Sequence, residues 1–406
     1  MKILLLNLYY PPDTSATAKM AATVVDALSA RHDVTVLCGR PSYDPTERRP
    51  WRLWQTELAG RATIRRVGST DYPRFAMSRR VLNYLSYVAL AIPRALFVRC
   101  DVVLAMTDPP FEGIAGALVA LLKGKPYLYN IRDMYPDMAV GGSIVAPGLL
   151  SRIWERMHRW ALRRATRVIV LGEDMGARII AKGVDPASVA IVRDGAEIPL
   201  PDAPKPLLDQ EIIRTIRGDY KFVLLHAGNL GFYGAWETLI EAARMLEKSN
   251  PDVGLVFVGE GAQRDRLVRL ADGCKSIRFL PFFPANKIPS VMAAGDVHVI
   301  TVKKGLEGVV VPSKLYGILA AGKPILAVTE AASDVSAITG ERKCGYAASP
   351  QIPVQVFLAT RALAAEGADG PGLKAMGAAA RAAAPDYDRV KELQKFVKII
   401  EEAVNA

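Results

Sequence analysis

Residues 309–328 read VVVPSKLYGILAAGKPILAV, and the order of apolar runs, Pro and Gly in this stretch decides the fold class. An apolar run breaks at Pro312, a helical pattern continues to Ala321, and Gly322 and Pro324 lead into a second apolar run, 325–328. The expected order is strand, loop, short helix, strand, which is the crossover of a parallel α/β sheet. Pro312 is expected at the first helical position, where a missing N–H is harmless and the fixed φ suits the helix. The amides of residues 313–316 would then be free donors at the positive end of a helix, with the Ser313 hydroxyl and the Lys314 ammonium beside them. Two readings follow: a seat for a diphosphate, or an ordinary crossover helix with a solvated lysine.

Upstream, apolar runs near 222–227, 255–259, 277–280 and 297–301 alternate with helical patterns, so the stretch belongs to a repeated α/β layout. With 406 residues the chain is too long for one ordinary core, and two domains of roughly 200 residues each are expected. Residues 199–217 hold Pro199, Pro201, Pro204 and Pro206 among charged residues and read as the linker between them.

The first half opens with a strand at 2–8, the loop YYPPDTSA and a helix from about Thr17 to Ala30. It lacks the GxGxxG of a dinucleotide site, which disfavours a dehydrogenase. Thr14 and Ser15 are read as helix caps ahead of ligand contacts. Further strands are expected at 34–38, 62–67, 102–106, 127–131, 167–171 and 190–193. At the carboxyl end of the 127–131 strand stands RDMYPD, residues 132–137, where ligands bind in this fold class.

Residues 81–98 are apolar apart from Asn83, Ser86 and Arg94. Pro93 and Arg94 argue against a membrane span, leaving a core helix or a surface helix dipping into an anionic leaflet between Arg79, Arg80 and Arg99. In the helix expected at 149–165, Leu150, Ile153, Trp154, Met157 and Ala161 share one face, and Arg152, Arg156, Arg159 and Arg163 form a stripe on another. That stripe is either a solvated face or a contact for lipid phosphate.

The net charge of +11 is uneven: residues 1–200 carry 27 Lys+Arg against 18 Asp+Glu, and residues 201–406 carry 25 against 23. A basic half suits an anionic substrate or lipid, and no nucleic-acid motif accompanies it. Four scattered cysteines, Cys38, Cys100, Cys274 and Cys344, suggest neither a zinc site nor a disulfide framework. MKILLLNLYYPP lacks a cleavage region and reads as a strand, so the cytosol is the expected compartment.

Taken in order, NLYYPPDTSATA, SYDPT, TDPP, RDMYPD, SIVAPG, RDGAE, GNLG, GEG and VPSKLYGILAAGKP resemble the GT-B fold family 4 glycosyltransferases, in particular the bacterial branch that builds capsule, exopolysaccharide and O-antigen. The resemblance covers nearly the whole chain. It implies an α/β GT-B fold, two doubly wound Rossmann-like domains facing a central cleft. The implied parts are an acceptor-binding domain at 1–198, the linker at 199–217, a nucleotide-sugar-binding domain at 218–385, and a helix at 386–406 crossing back. It also implies retaining transfer, without metal or cofactor, from a nucleoside-diphosphate sugar to a polyprenyl-diphosphate-linked saccharide at the inner face of the cytoplasmic membrane. UDP is favoured over GDP.

By resemblance, Gly228 and Asn229 lie near the donor diphosphate, and Gly259 and Glu260 near the nucleoside. Pro312, Ser313, Lys314, Leu315 and Tyr316 lie at the diphosphate and sugar. Asp133 stands where the family has a His or Asp facing the reacting centre, with Thr14, Ser15, Arg132 and Asp137 on the acceptor side. The chain departs from the family at Val309 and Gly317, which take the places of two glutamates, with Glu307 two residues before the first. Asn229 replaces an Arg common there, and no Lys follows near Gly234. Lys314 is thus left as the chief phosphate-neutralising group. Two rivals remain: a nucleotide-sugar 2-epimerase, whose cleft needs a His with several carboxylates, and a non-catalytic nucleotide-sugar-binding scaffold.

Overall fold

The computed structural model describes residues 1–42, 50–72, 77–198 and 206–405. Residues 43–46 of the SYDPT stretch and residues 199–205 of the expected linker lie outside these. The chain divides into two units, one of Met1–Val192 with Lys391–Ala406 and one of Arg193–Val390.

In the first unit, Lys2–Leu6 (β1), Asp33–Cys38 (β2), Trp54–Ala59 (β3), Ala62–Val67 (β4), Val102–Ala105 (β5), Tyr127–Asn130 (β6), Arg167–Val170 (β7) and Val189–Ile191 (β8) make one sheet, ordered β3-β4-β2-β1-β5-β6-β7-β8. Every pairing is parallel except β3 with β4, a hairpin turning at Gly60 with φ +57°. β3 escapes the sequence reading because it is an edge strand with little burial. The central strands are apolar on both faces because both are covered. One cover is the Arg389–Asn405 helix, whose Phe396, Val397, Ile399, Ile400 and Ala403 join a core with Ile3, Leu5, Leu28 and Val34.

Three neighbouring helices, Met77–Leu96, Glu112–Lys123 and Leu149–Arg164, form a layer on this sheet. In the first, Asn83, Tyr84, Tyr87, Ala91 and Ala95 turn inward while Val81, Leu82, Leu85 and Leu96 are exposed. This facing has a local cause. Asn83 Oδ1 accepts from Thr70 Oγ1 at 2.9 Å and Tyr72 N at 3.0 Å, and its Nδ2 donates to Tyr72 O at 2.9 Å, so it pins the segment after β4. The Leu149–Arg164 helix turns most of its large apolar residues outward together with its arginines. It buries Ser151, His158, Ala161 and Leu162, whereas Leu149, Leu150, Ile153, Met157 and Trp160 are exposed beside Arg152, Arg156, Arg159 and Arg163.

In the second unit, Phe222–Ala227 (β9), Val253–Val258 (β10), Ile277–Leu280 (β11), Val297–Thr301 (β12), Ile325–Val328 (β13) and Gly345–Ala348 (β14) form a parallel sheet ordered β11-β10-β9-β12-β13-β14. The reversal of order at β9 and β12 is a topological switch point, the place where such sheets bind ligands. Part of the expected linker is helical: Gln210–Arg217 is capped by Asp209, whose Oδ1 accepts from Glu211 N and Ile212 N at 3.1 and 3.3 Å. Ile212, Ile213 and Ile216 pack into this unit's core, so an apolar periodicity beneath the charges overrides the linker composition. The apolar residues 309–311 form no strand; Val309 N and Val310 N bond Leu306 O in a turn.

Candidate functional site

β9 and β10 each run out into glycine, and the two glycines meet. Gly228 has φ +147° and Gly259 φ +154°, a region that side chains rarely adopt. A Cβ on Gly259 would lie 1.9 Å from Gly228 O, and one on Gly228 would lie 2.9 Å from Lys314 Nζ. The loops are stitched by Gly228 N to Val258 O at 2.9 Å and Leu230 N to Glu260 O at 2.8 Å. Asn229 lies against Gly261, whose hypothetical Cβ would sit 2.5 Å from Asn229 Oδ1.

Lys314 reaches this junction from the first residue of the Lys314–Ala321 helix. Its Nζ lies 3.0 Å from Nε2 of His226, the penultimate residue of β9. His226 is buried, edge-on to Trp236 at 4.9 Å. Burial, and then the neighbouring Lys314, push its imidazole well below the usual histidine range, so the ring is neutral. Burial alone brings the Lys314 ammonium down to about 7. The result is a recess with a cation poised between charge states and no carboxylate paired to it among the described residues. Such a recess favours an anion.

The helix start differs from expectation. Ser313 is the N-cap and Pro312 precedes it, and no Ser313 side-chain bond closes the cap. Leu315 N bonds Pro312 O at 3.1 Å and Tyr316 N bonds Ser313 O at 3.3 Å, which occupies two of the amides expected to be free. The side chains of Leu315 and Tyr316 are buried in the core, the latter against Tyr387 at 5.4 Å, so neither faces a ligand. Glu260 is half-exposed and pairs with Arg264 at 3.4 Å. Glu307 is partly buried in the turn that bonds Leu306 O. His226, central here, carries no motif; its one signal is a polar residue inside the apolar run FVLLHA.

At the carboxyl edge of the first unit's sheet, Ser15 caps the Ala16–Ser29 helix by accepting from Ala18 N at 3.0 Å, while Thr14 is exposed. Arg132 N donates to Thr107 Oγ1 at 3.1 Å, tying the RDMYPD loop to the end of β5. Asp133 is partly buried in that loop. Asp137, expected on the acceptor side, is ion-paired: its carboxylate accepts from Lys182 Nζ at 2.8 Å, and the same ammonium bonds Glu155 at 2.8 Å. Asp137 is therefore part of an ion network that anchors the Asp137–Gly141 helix.

Sequence reasoning also passed over Glu112, at the start of the Glu112–Lys123 helix behind TDPP. It is completely buried, and burial lifts its carboxyl well above the ordinary range. Tyr87 Oη lies 3.1 Å from Glu112 Oε1 and 3.0 Å from Leu37 O. A neutral acid accounts for both contacts: Glu112 donates to the phenol and the phenol donates to the carbonyl.

Comparison with known proteins follows the same division. The model of the glycosyl transferase 4-like domain matches residues 15–195, and that of glycosyl transferases group 1 matches residues 209–358. WbjE of Pseudomonas aeruginosa, named as a probable glycosyltransferase, is 30% identical over 262 residues, covering 63% of this chain and 64% of WbjE. WcaI of Escherichia coli K12, assigned by its name to colanic acid biosynthesis as a glycosyl transferase, is 26% identical over 354 residues, covering 82% of this chain and 85% of WcaI. Among solved structures, Anabaena HepE in complex with UDP superposes with a TM-score of 0.66 at 17% identity, over 99% of this chain and 100% of that one.

Proposed function

The chain belongs to the family 4 glycosyltransferases of the GT-B fold, and on that premise we propose that it transfers a sugar, with retention and without a bound metal, from a nucleoside-diphosphate sugar to a polyprenyl-diphosphate-linked saccharide in surface polysaccharide synthesis. UDP is the proposed nucleotide; HepE, a structural relative, is solved in complex with it. The observation that carries the reading is the meeting of Lys314 with Gly228 and Gly259 at the switch point of the second sheet.

The chemistry follows from charge. As the bond between sugar and diphosphate breaks, negative charge grows on the β-phosphate, and donors aimed there lower the barrier. Lys314 supplies the charge, and the glycines let backbone amides approach the phosphate where a side chain would block them. The acceptor hydroxyl attacks on the face the leaving group vacates, and the leaving phosphate takes its proton. Asp133, at the carboxyl edge of the first sheet, is the proposed group that orients the acceptor or supports the cationic ring.

We place the protein on the inner face of the cytoplasmic membrane through the outward residues of the Met77–Leu96 and Leu149–Arg164 helices. Leucines beside a row of arginines suit a surface where acyl chains lie under anionic headgroups. No helix among the described residues is long and apolar enough to cross a membrane.

The test is release of nucleoside diphosphate from a panel of UDP- and GDP-sugars, with and without a polyprenyl-diphosphate-linked acceptor, for wild type and Lys314→Ala. Acceptor-dependent release from one donor, reduced about 100-fold or more in the variant, supports the proposal. Nucleotide binding without release from any donor would instead favour the scaffold reading, to which Val309 and Gly317 already lend support.

A further inference from the structure

We propose that the first unit carries a second anion site, a cavity at the amino edge of its sheet that takes a phosphate-bearing ligand. The cavity, of about 490 Å³, lies opposite the strand ends that carry the RDMYPD and TDPP loops. Lys2 enters it from β1, Arg61 and Arg65 from the turn before β4 and from β4 itself, and Arg99 from the segment after the Met77–Leu96 helix. Asp33 is the single carboxylate in its lining.

These cations are uncompensated. Among the described residues none of the four forms an ion pair; Arg61 has only a long bond to Ala30 O at 3.4 Å. The Nε of Arg65 is buried and has no hydrogen-bond partner. Its neighbour on β4 shows what a paired guanidinium looks like here: Arg66 bonds Glu57 at 2.7 Å, Pro11 O at 2.5 Å and Gly39 O at 3.3 Å. Alternate residues of a strand face opposite sides, so β4 carries one satisfied arginine and one that faces the cavity. Burial, and then the like charge of Arg94, hold the Arg65 guanidinium below its ordinary basicity, a cost that an anion would remove. Thr35 and Thr63, paired across β2 and β4, add hydroxyl donors.

The chemistry asked for is a phosphate with several charge-assisted bonds. It has two sources: a small soluble phosphate ester, or a lipid headgroup. Phe97 lines the cavity yet is 80% exposed, and it continues the outward apolar stripe through Leu96. An acyl chain would lie there.

The experiment is calorimetric titration of the full chain in a Lys314→Ala background, which silences the second unit's phosphate seat. The probes are inorganic phosphate, glycerol 3-phosphate and dihexanoyl phosphatidic acid below its micellar concentration. At least one probe is expected to bind saturably, about tenfold weaker in Arg65→Gln and in Arg99→Gln, and unchanged in Arg269→Gln, an exposed arginine of the second unit. Arg99 is exposed, so its variant keeps the test valid should Arg65→Gln fold poorly. Binding of the lipid alone assigns a headgroup; equal binding of all three assigns a free phosphate. No binding of any probe, or affinity equal to wild type in both variants, overturns the site. Neither result depends on glycosyl transfer, which the donor panel tests separately.

Discussion

Lys314 Nζ and His226 Nε2 are 3.0 Å apart, with an imidazole standing where a buried lysine ordinarily has a carboxylate. His226 also hydrogen-bonds the Val299 backbone, which fixes its proton on that side and leaves the nitrogen facing Lys314 as an acceptor. The pair therefore orients the amine without neutralising it.

Nucleotide binding should take up a proton. Burial lowers Lys314 from 10.5 to about 7, so above neutrality the free folded protein lacks a proton that the unfolded chain still holds. Stability accordingly rises with pH across that interval. A diphosphate favours the charged amine and restores the proton. Calorimetry at pH ~8 in buffers of different ionisation enthalpy should report uptake of about one proton, absent in Lys314→Met; no buffer dependence in wild type would refute this.

The Gly228–Gly259 junction should tolerate no side chain. With a Cβ of residue 259 only 1.9 Å from a backbone oxygen, Gly259→Ala is expected to cost about 1–3 kcal/mol of stability and to abolish nucleotide affinity. Thermal melts with and without UDP check both; a variant that melts and binds like wild type would show that the loops adjust.

Glu112→Gln should stabilise the protein in a pH-dependent way. Burial raises the Glu112 carboxyl in the folded state, so that group's contribution is fully present below its unfolded pKa and declines as pH rises toward the folded one. Gln keeps a donor toward Tyr87 and carries no ionisation cost. Urea unfolding should find the variant more stable than wild type at pH ~8 and the gap closed near pH ~4.

Lys182→Met should leave two carboxylates facing each other. The expected loss is about 1–3 kcal/mol, because Asp137 and Glu155 are still 26% and 23% exposed and partly screened. Burial alone would raise Glu155, but bonds from Lys182 and Arg159 outweigh it and hold it below the ordinary range. Its stabilisation exists above the unfolded pKa and disappears as pH falls through the folded one. The wild-type advantage should therefore shrink below pH ~4, which acid titration of the melting temperature would show.

The outward leucines should be worth more to a bilayer than to the fold. Leu150 is 80% exposed, so Leu150→Ser with Leu85→Ser should leave the melting temperature nearly unchanged while reducing co-sedimentation with anionic liposomes several-fold. Equal sedimentation of variant and wild type would remove the membrane from the proposal.

Much of the architecture was legible because parallel strands buried on both faces announce themselves as apolar runs. The edge strands β8 and β11 keep enough apolar character to be read, whereas β3, mostly exposed, and β14, with Tyr346 and Ala347 exposed, gave no such signal and were not found. The direction in which the Leu149–Arg164 helix faces was not legible for a related reason. Periodicity shows that a helix has two faces, but here the polar Ser151 and His158 face the interior. At the site, Lys314 and the glycines follow from local motifs. His226 and Glu112 make contacts 88 and 25 residues away in the chain, so no local motif marks them, and His226 shows only as a polar residue inside an apolar run.

The Arg389–Asn405 helix closes the core that β1 opens, and this sets a schedule for synthesis. Residues 193–390, a unit in their own right, leave the ribosome between the two halves of that core. At roughly 5–20 residues per second the apolar flank formed by Ile3, Leu5 and Leu28 stays uncovered for roughly 10–40 s. During that interval the nascent first unit carries an uncovered apolar flank, so aggregation competes with folding until the last helix emerges.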